Sequence, residues 1–198
     1  MNSQILIKIN HFVKNRLIET FGIVLILLAI FLFLSIVTYS PNDPNFIYTP
    51  ENVEVANIGG FYGSVISDFL LQSIGLISIL LVLNFLLWGI KIILHKKIDN
   101  FVSKIFYALA YIIFGTTYIN ISYNNSFWLI DNGNGGFVGR IIKENIYNFT
   151  NLIENEYAVY GLAIFTIIFF ILSSNIKINE TIKSLIFPFF VIKKIFNL

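Results

Sequence analysis

Two histidines, His11 and His95, and 11 carboxylates are the side chains with which this 198-residue sequence could run acid–base or metal chemistry. Their spacing argues against it. Each histidine stands alone among basic residues, so no pair sits at metal-ligand spacing and no Ser-His-Asp arrangement can be picked out. Glu154 and Glu156 resemble a carboxylate pair, but residues two apart on a helix do not share a face; a polar cap on a helix end is the plainer reading. Cysteine is absent, which removes disulfides, thiol catalysis and cysteine metal sites. No Gly-Lys dipeptide occurs, so the G-x-x-x-x-G-K-[ST] loop that cradles nucleotide phosphates is missing. The expectation is a chain that is no enzyme and holds no cofactor and no metal.

Small residues at regular spacing are the other chemical feature. Residues 59–63 read Gly-Gly-Phe-Tyr-Gly, and residues 135–139 read Gly-Gly-Phe-Val-Gly. Gly60 and Ser64 lie four apart, as do Gly63 and Ser67, and Gly135 and Gly139. Such spacing lets two helix backbones approach closely in lipid, where packing must replace the hydrophobic drive. The plainer alternative is that the glycines only end loops and start helices. The serines fit the packing reading as well as the glycines do, so packing is preferred. Asp68 is the one acid at the edge of an apolar run. Ionisable groups in membranes are functional candidates, and an Asp68–Arg140 pair is one reading of it; a solvated interfacial charge is the other.

The elements that must carry these residues are membrane spans. The chain is 57% hydrophobic with mean hydropathy +0.79, and only 12% of it is charged, about half the charge of an ordinary soluble domain. Phe21–Tyr39 holds no charge over 19 residues, about enough to cross a ~30 Å hydrocarbon core as a helix. Further spans are expected at about 69–90, 105–121 and 157–172, with Ser173 and Ser174 at the interface of the last. The apolar run 182–192 contains Pro188 and is too short to span, so 175–198 reads as a cytoplasmic amphipathic tail lying on the membrane. The first span is read as a retained signal-anchor, because its apolar run exceeds the ~7–15 residues of a cleaved signal.

Charge orients the spans. Of the 13 Lys and Arg residues, all but Arg140 and Lys143 fall in segment 1–20, in loop 91–104 or in the tail. The positive-inside bias then places both termini and the middle loop in the cytoplasm, as an even number of spans requires. Lys91, Lys96 and Lys97 beside a bilayer are expected to meet anionic lipid headgroups, not nucleic acid. The fold class expected is an all-α integral membrane protein, a four-transmembrane-helix bundle with a parallel two-plus-two repeat.

On these residues the chain resembles the N-terminal four-helix membrane domain of the FtsK/SpoIIIE cell-division DNA translocases. Tyr39-Ser40-Pro41-Asn42-Asp43-Pro44 follows the first span as that family's Y-S-P-x-D-P does. Asn57, Gly60, Gly63, Ser64, Ser67 and Asp68 match its N-x-x-G-x-x-G-small-x-x-small-D, and Gly75 follows seven residues on. Gly135, Gly136 and Gly139 match its second glycine-rich element. The family usually has alanine at Ser64 and Ser67 and phenylalanine at Ile74, which keeps small residues small and apolar residues apolar. The resemblance covers roughly residues 15 to 175; the family's linker, RecA-like motor and winged-helix DNA reader have no counterpart in the sequence.

What the resemblance implies is a bacterial inner-membrane module at the division septum. It would be a homo-oligomer, with six copies suggested. It would be partnered by membrane lipids, by divisome membrane proteins and by a separate motor subunit, with no direct nucleic-acid binding by this chain. The competing reading is a small multi-pass transporter or channel subunit, for which Asn84 is the best internal polar candidate; a hydrogen bond to a neighbouring helix is the expected use of Asn84.

Overall fold

The computed structural model describes residues 3–48, 54–98, 100–125, 129, 131–149 and 155–174. All regular structure among them is helical. Helix α1 runs Ser3–Val37, α2 Gly60–Ile74, α3 Ser78–His95, α4 Phe101–Ser122, α5 Gly136–Phe149 and α6 Glu156–Ser174. A single 3-10 turn, Gly75–Ile77, joins α2 to α3. Among the described residues four segments are long and apolar enough to cross a membrane: α1, α2 with α3, α4, and α6. The tail from 175 onward lies outside the described residues.

Two of the spans end for a visible local reason. Pro41 disfavours helical backbone in the residue before it, and α1 stops three residues earlier. Lys96 takes the left-handed conformation (φ 51°) and returns its N–H to the Ile92 carbonyl, closing α3. At the other end of α1, the structure departs from expectation: the helix begins at Ser3, well before Phe21. Residues before the apolar run contain neither glycine nor proline, so nothing breaks the ladder there.

The second span also differs from the unbroken 69–90 helix expected. It is interrupted at Gly75, whose φ of 57° and ψ of −142° are essentially glycine-only backbone. The cause lies in the other half of the chain. Asn134 offers its carbonyl to the N–H of Leu76 at 2.9 Å, wedging a loop into the helix and satisfying a donor that the break exposes.

The spans pack in two antiparallel pairs, α3 along α1 and α6 along α4. Gly22 and Gly89 let the first pair touch: a Cβ on Gly89 would stand 2.7 Å from the Gly22 carbonyl oxygen. Toward the end expected to face the cytoplasm the core gathers Leu25, Trp88, Ile92, Ala108 and Tyr111. There Trp88 stacks edge-on with Phe101, their centroids 5.4 Å apart. Toward the opposite end, expected to face outward, Ala29, Leu32, Ile36, Leu71 and Val82 enclose Leu129, which reaches in from the loop between α4 and α5. Ser173 and Ser174, expected at the interface, are fully buried. Asn84 donates to Ser173 Oγ at 2.7 Å, Trp88 Nε1 donates to the Ser173 carbonyl at 2.8 Å, and Ser173 Oγ donates to the Lys104 carbonyl at 2.9 Å. That cluster ties α3, α4 and α6 together.

The two halves match element for element. Each has an outgoing span (α1, α4), a short outer helix (α2, α5) and a returning span (α3, α6). The glycine elements open α2 and α5, which in the second half is not the returning span itself, since α6 starts separately at Glu156.

Candidate functional site

Most of the residues singled out in the sequence gather at the end of the bundle expected to face outward, where they form a polar clasp. Its hub is Asp43, buried at 4% exposure. A carboxylate out of water needs donors, and Asp43 has two backbone ones: Ala56 N–H at 3.0 Å and Asn57 N–H at 2.9 Å. The turn that presents it is closed by Asp43 N–H donating to the Ser40 carbonyl at 3.2 Å. Tyr39, Pro41 and Pro44 frame that turn, and the Pro44 carbonyl accepts from Ser64 Oγ.

Asn57 is the second hub. Its amide donates to the Ser35 carbonyl at 2.8 Å and to Ser67 Oγ at 3.4 Å, while its Oδ1 accepts from Gly59 N–H at 2.9 Å. Ser67 Oγ donates in turn to the Ser64 carbonyl at 3.0 Å. One asparagine thus fixes the end of α1, the start of α2 and the middle of α2. Ile58 N–H adds a bond to Thr38 Oγ1 at 3.1 Å.

The glycines divide their work. Gly60 (φ 63°) and Gly136 (φ 65°) both sit in left-handed backbone and donate to the carbonyl three residues back, Asn57 and Gly133 respectively. The same turn therefore precedes α2 and α5. Gly59 and Gly63 face α1. A Cβ on Gly59 would be 2.8 Å from Ser35 Oγ, and one on Gly63 would collide with the Asn57 side chain. Gly135 and Gly139 face α4 in the same way, against Thr116 and Asn120. Close packing was expected of Gly60 too, and this is corrected: a Cβ there meets nothing within 4 Å. Its requirement is conformational, and Gly59 takes the packing position instead.

The halves meet at Gly75 and Gly136. A Cβ on Gly136 would lie 2.6 Å from the Gly75 nitrogen, and one on Gly75 would overlap the Asn134 carbonyl. Around this crossing runs a chain of side chains: Tyr39 OH donates to Asp68 Oδ1 at 3.0 Å, Gln72 reaches Tyr39 OH at 3.5 Å, and Asn132 donates to Gln72 Oε1 at 2.9 Å. Burial, then the Asp68 carboxylate, push the Tyr39 phenol up to about 12. The phenol therefore stays protonated and donating throughout the physiological range. The Asp68–Arg140 pair is not formed. Asp68 is taken by Tyr39, while Arg140 donates to the Asp131 carbonyl at 3.3 Å and lies 5.7 Å over the Phe137 ring.

Most of these bonds join a side chain of one element to the backbone or a side chain of another, and so fix the elements against each other. Among the described residues no group of three His, Asp or Glu side chains gathers where a metal ion could be held. Sequence reasoning missed Ser35, Thr38, Gln72, Asn132 and Asn134, whose partners lie up to 60 residues away. It also missed Gly22 and Gly89, though an isolated glycine inside an apolar helical run is a usable signal of close backbone approach.

A protein family described as the 4TM region of DNA translocase FtsK/SpoIIIE matches residues 14–185. Curated relatives carry the name DNA translocase FtsK. That of Rickettsia typhi (strain ATCC VR-144 / Wilmington) is 27% identical over 189 residues, covering 94% of this chain and 25% of the relative. That of Rickettsia bellii (strain RML369-C) is 26% identical over 161 residues, covering 81% of this chain and 21% of the relative. That of Rhizobium meliloti (strain 1021) is 25% identical over 134 residues, covering 68% and 15%. The chain spans a quarter or less of the length of these relatives. No solved structure matches it.

Proposed function

This chain belongs to the family of the 4TM region of DNA translocase FtsK/SpoIIIE, and from that membership we propose that it is the non-catalytic, septum-associated membrane anchor of an FtsK-like cell-division and chromosome-segregation translocase. The observation that carries the reading is the extent of the family match, residues 14–185, together with four segments able to span a membrane. The 198 residues contain no phosphate-cradling loop, so ATP-driven pulling is assigned to a motor domain or a separate motor subunit that this bundle would tether. Assembly as a homo-oligomer, with six copies suggested by the resemblance, and contact with divisome membrane proteins are part of the same proposal. Asn84, the best internal polar candidate for a transport path, donates its amide N–H groups to Ser173 Oγ and Tyr111 OH on neighbouring helices, the interhelical bonding that favours the anchor over a transporter or channel subunit.

A chimaera tests this. Residues 1–198 replace the membrane region of a full-length FtsK in a strain lacking that region. Restored septation at normal cell length is expected. Persistent filamentation, with the chimaera present in the membrane at normal abundance, contradicts the proposal.

A further inference from the structure

Helix α1 outruns the bilayer. Its 35 residues extend about 52 Å at 1.5 Å each, against a hydrocarbon core of ~30 Å. The excess lies at the N-terminal, cytoplasmic end, where Phe12 and Leu17 are 59% and 66% exposed. The close crossing at Gly22 and Gly89 fixes α1 against α3 just above this level. Below it α1 and the chain leaving α3 bound an open groove of about 730 Å³. Its apolar wall is Val13, Leu17 and Ile98, and its cationic groups are Lys14, Lys96 and Lys97.

The charges in this groove are unequally committed. Lys96 Nζ lies 2.9 Å from Glu19 Oε1, and Glu19 also takes Arg16, so that one carboxylate is shared by two cations. Lys14 and Lys97 form no ion pair among the described residues. The groove therefore offers net positive charge beside an apolar surface that is continuous with the lipid-facing side of α1. A soluble anion would use only the lysines and leave the apolar wall wet. A phospholipid uses both.

The geometry points to a binding site for one anionic phospholipid of the cytoplasmic leaflet, its phosphate at Lys14 and Lys97 and an acyl chain along Val13, Leu17 and Ile98. This goes beyond the anchor reading and stands independently of it, since it concerns the groove and not the septum.

The test uses the full chain in nanodiscs holding phosphatidylglycerol and phosphatidylcholine in equal amounts, with retained lipid counted by native mass spectrometry. A lysine near an anionic surface contributes about a five-fold factor. Wild type is expected to retain phosphatidylglycerol at least about five-fold over phosphatidylcholine. K14Q/K97Q is expected to bring that ratio near one, with circular dichroism and monodispersity unchanged. K14R/K97R is expected to keep the preference, as is K104Q, which removes a cytoplasmic charge outside the groove. Equal retention of both lipids by wild type overturns the site. So does a loss in K104Q as large as in K14Q/K97Q, which would reduce the effect to bulk charge. Displacement of the lipid by millimolar inorganic phosphate would instead identify a free-phosphate site and overturn the lipid assignment.

Discussion

Asp43 spends both carboxylate oxygens on backbone N–H groups of the segment that enters α2. Asp43→Ala leaves those donors without their acceptor in a buried place, at a cost of about 1–3 kcal/mol for each donor left unsatisfied. The midpoint of thermal unfolding in detergent is expected to fall clearly; an unchanged midpoint contradicts the clasp. The glycines allow a finer comparison. Gly60→Ala pays only for left-handed backbone, about 1–2 kcal/mol. Gly63→Leu must displace Asn57 and Ser35 and is expected to cost more, through overpacking and through loss of the Asn57 bonds. The reverse ranking in the same unfolding assay contradicts this division of labour. In the sequence, Gly63, Ser64, Ser67 and Asp68 stand out by type and spacing, whereas Tyr39, Pro41, Asp43, Pro44 and Asn57 are singled out only by the family resemblance. Which glycine packs and which one turns was not legible, since φ and the nearest neighbour are properties of the folded backbone.

At the level of elements, four spans and their turns were legible because hydropathy and charge report directly on what can sit in lipid. The interruption of the second span was not. It depends on the Asn134 carbonyl reaching Leu76 across the two halves, and no local pattern around Gly75 encodes that partner. The early start of α1 was hidden differently: a search for charge-free runs stops at Glu19, while a helix does not. The crossing of α1 and α3 makes the element-scale prediction. Gly89→Leu drives a side chain into Gly22 and Ile26, and overpacking of this kind costs about 1–3 kcal/mol. Gly161→Leu places its Cβ in open space and serves as the control. Unfolding in detergent is expected to shift for Gly89→Leu and not for Gly161→Leu; equal shifts would show that the crossing is not a tight contact.

Over the whole molecule, two similar halves are held together by the loop of the second half that enters the first. Leu129 from the second outer loop fills the outer core of the first half, and Asn134 to Gly136 seat in the break between α2 and α3. These contacts join the halves at the end of the bundle that holds the polar clasp, while α1 extends beyond the core at the opposite end. A cross-linked bundle of this kind suits the anchor role proposed above. The most direct measurement is the position of a fluorescent C-terminal fusion in dividing cells of the source organism. The account predicts a band at mid-cell that appears as constriction begins. Fluorescence spread evenly around the membrane, from a fusion that remains functional, would contradict it.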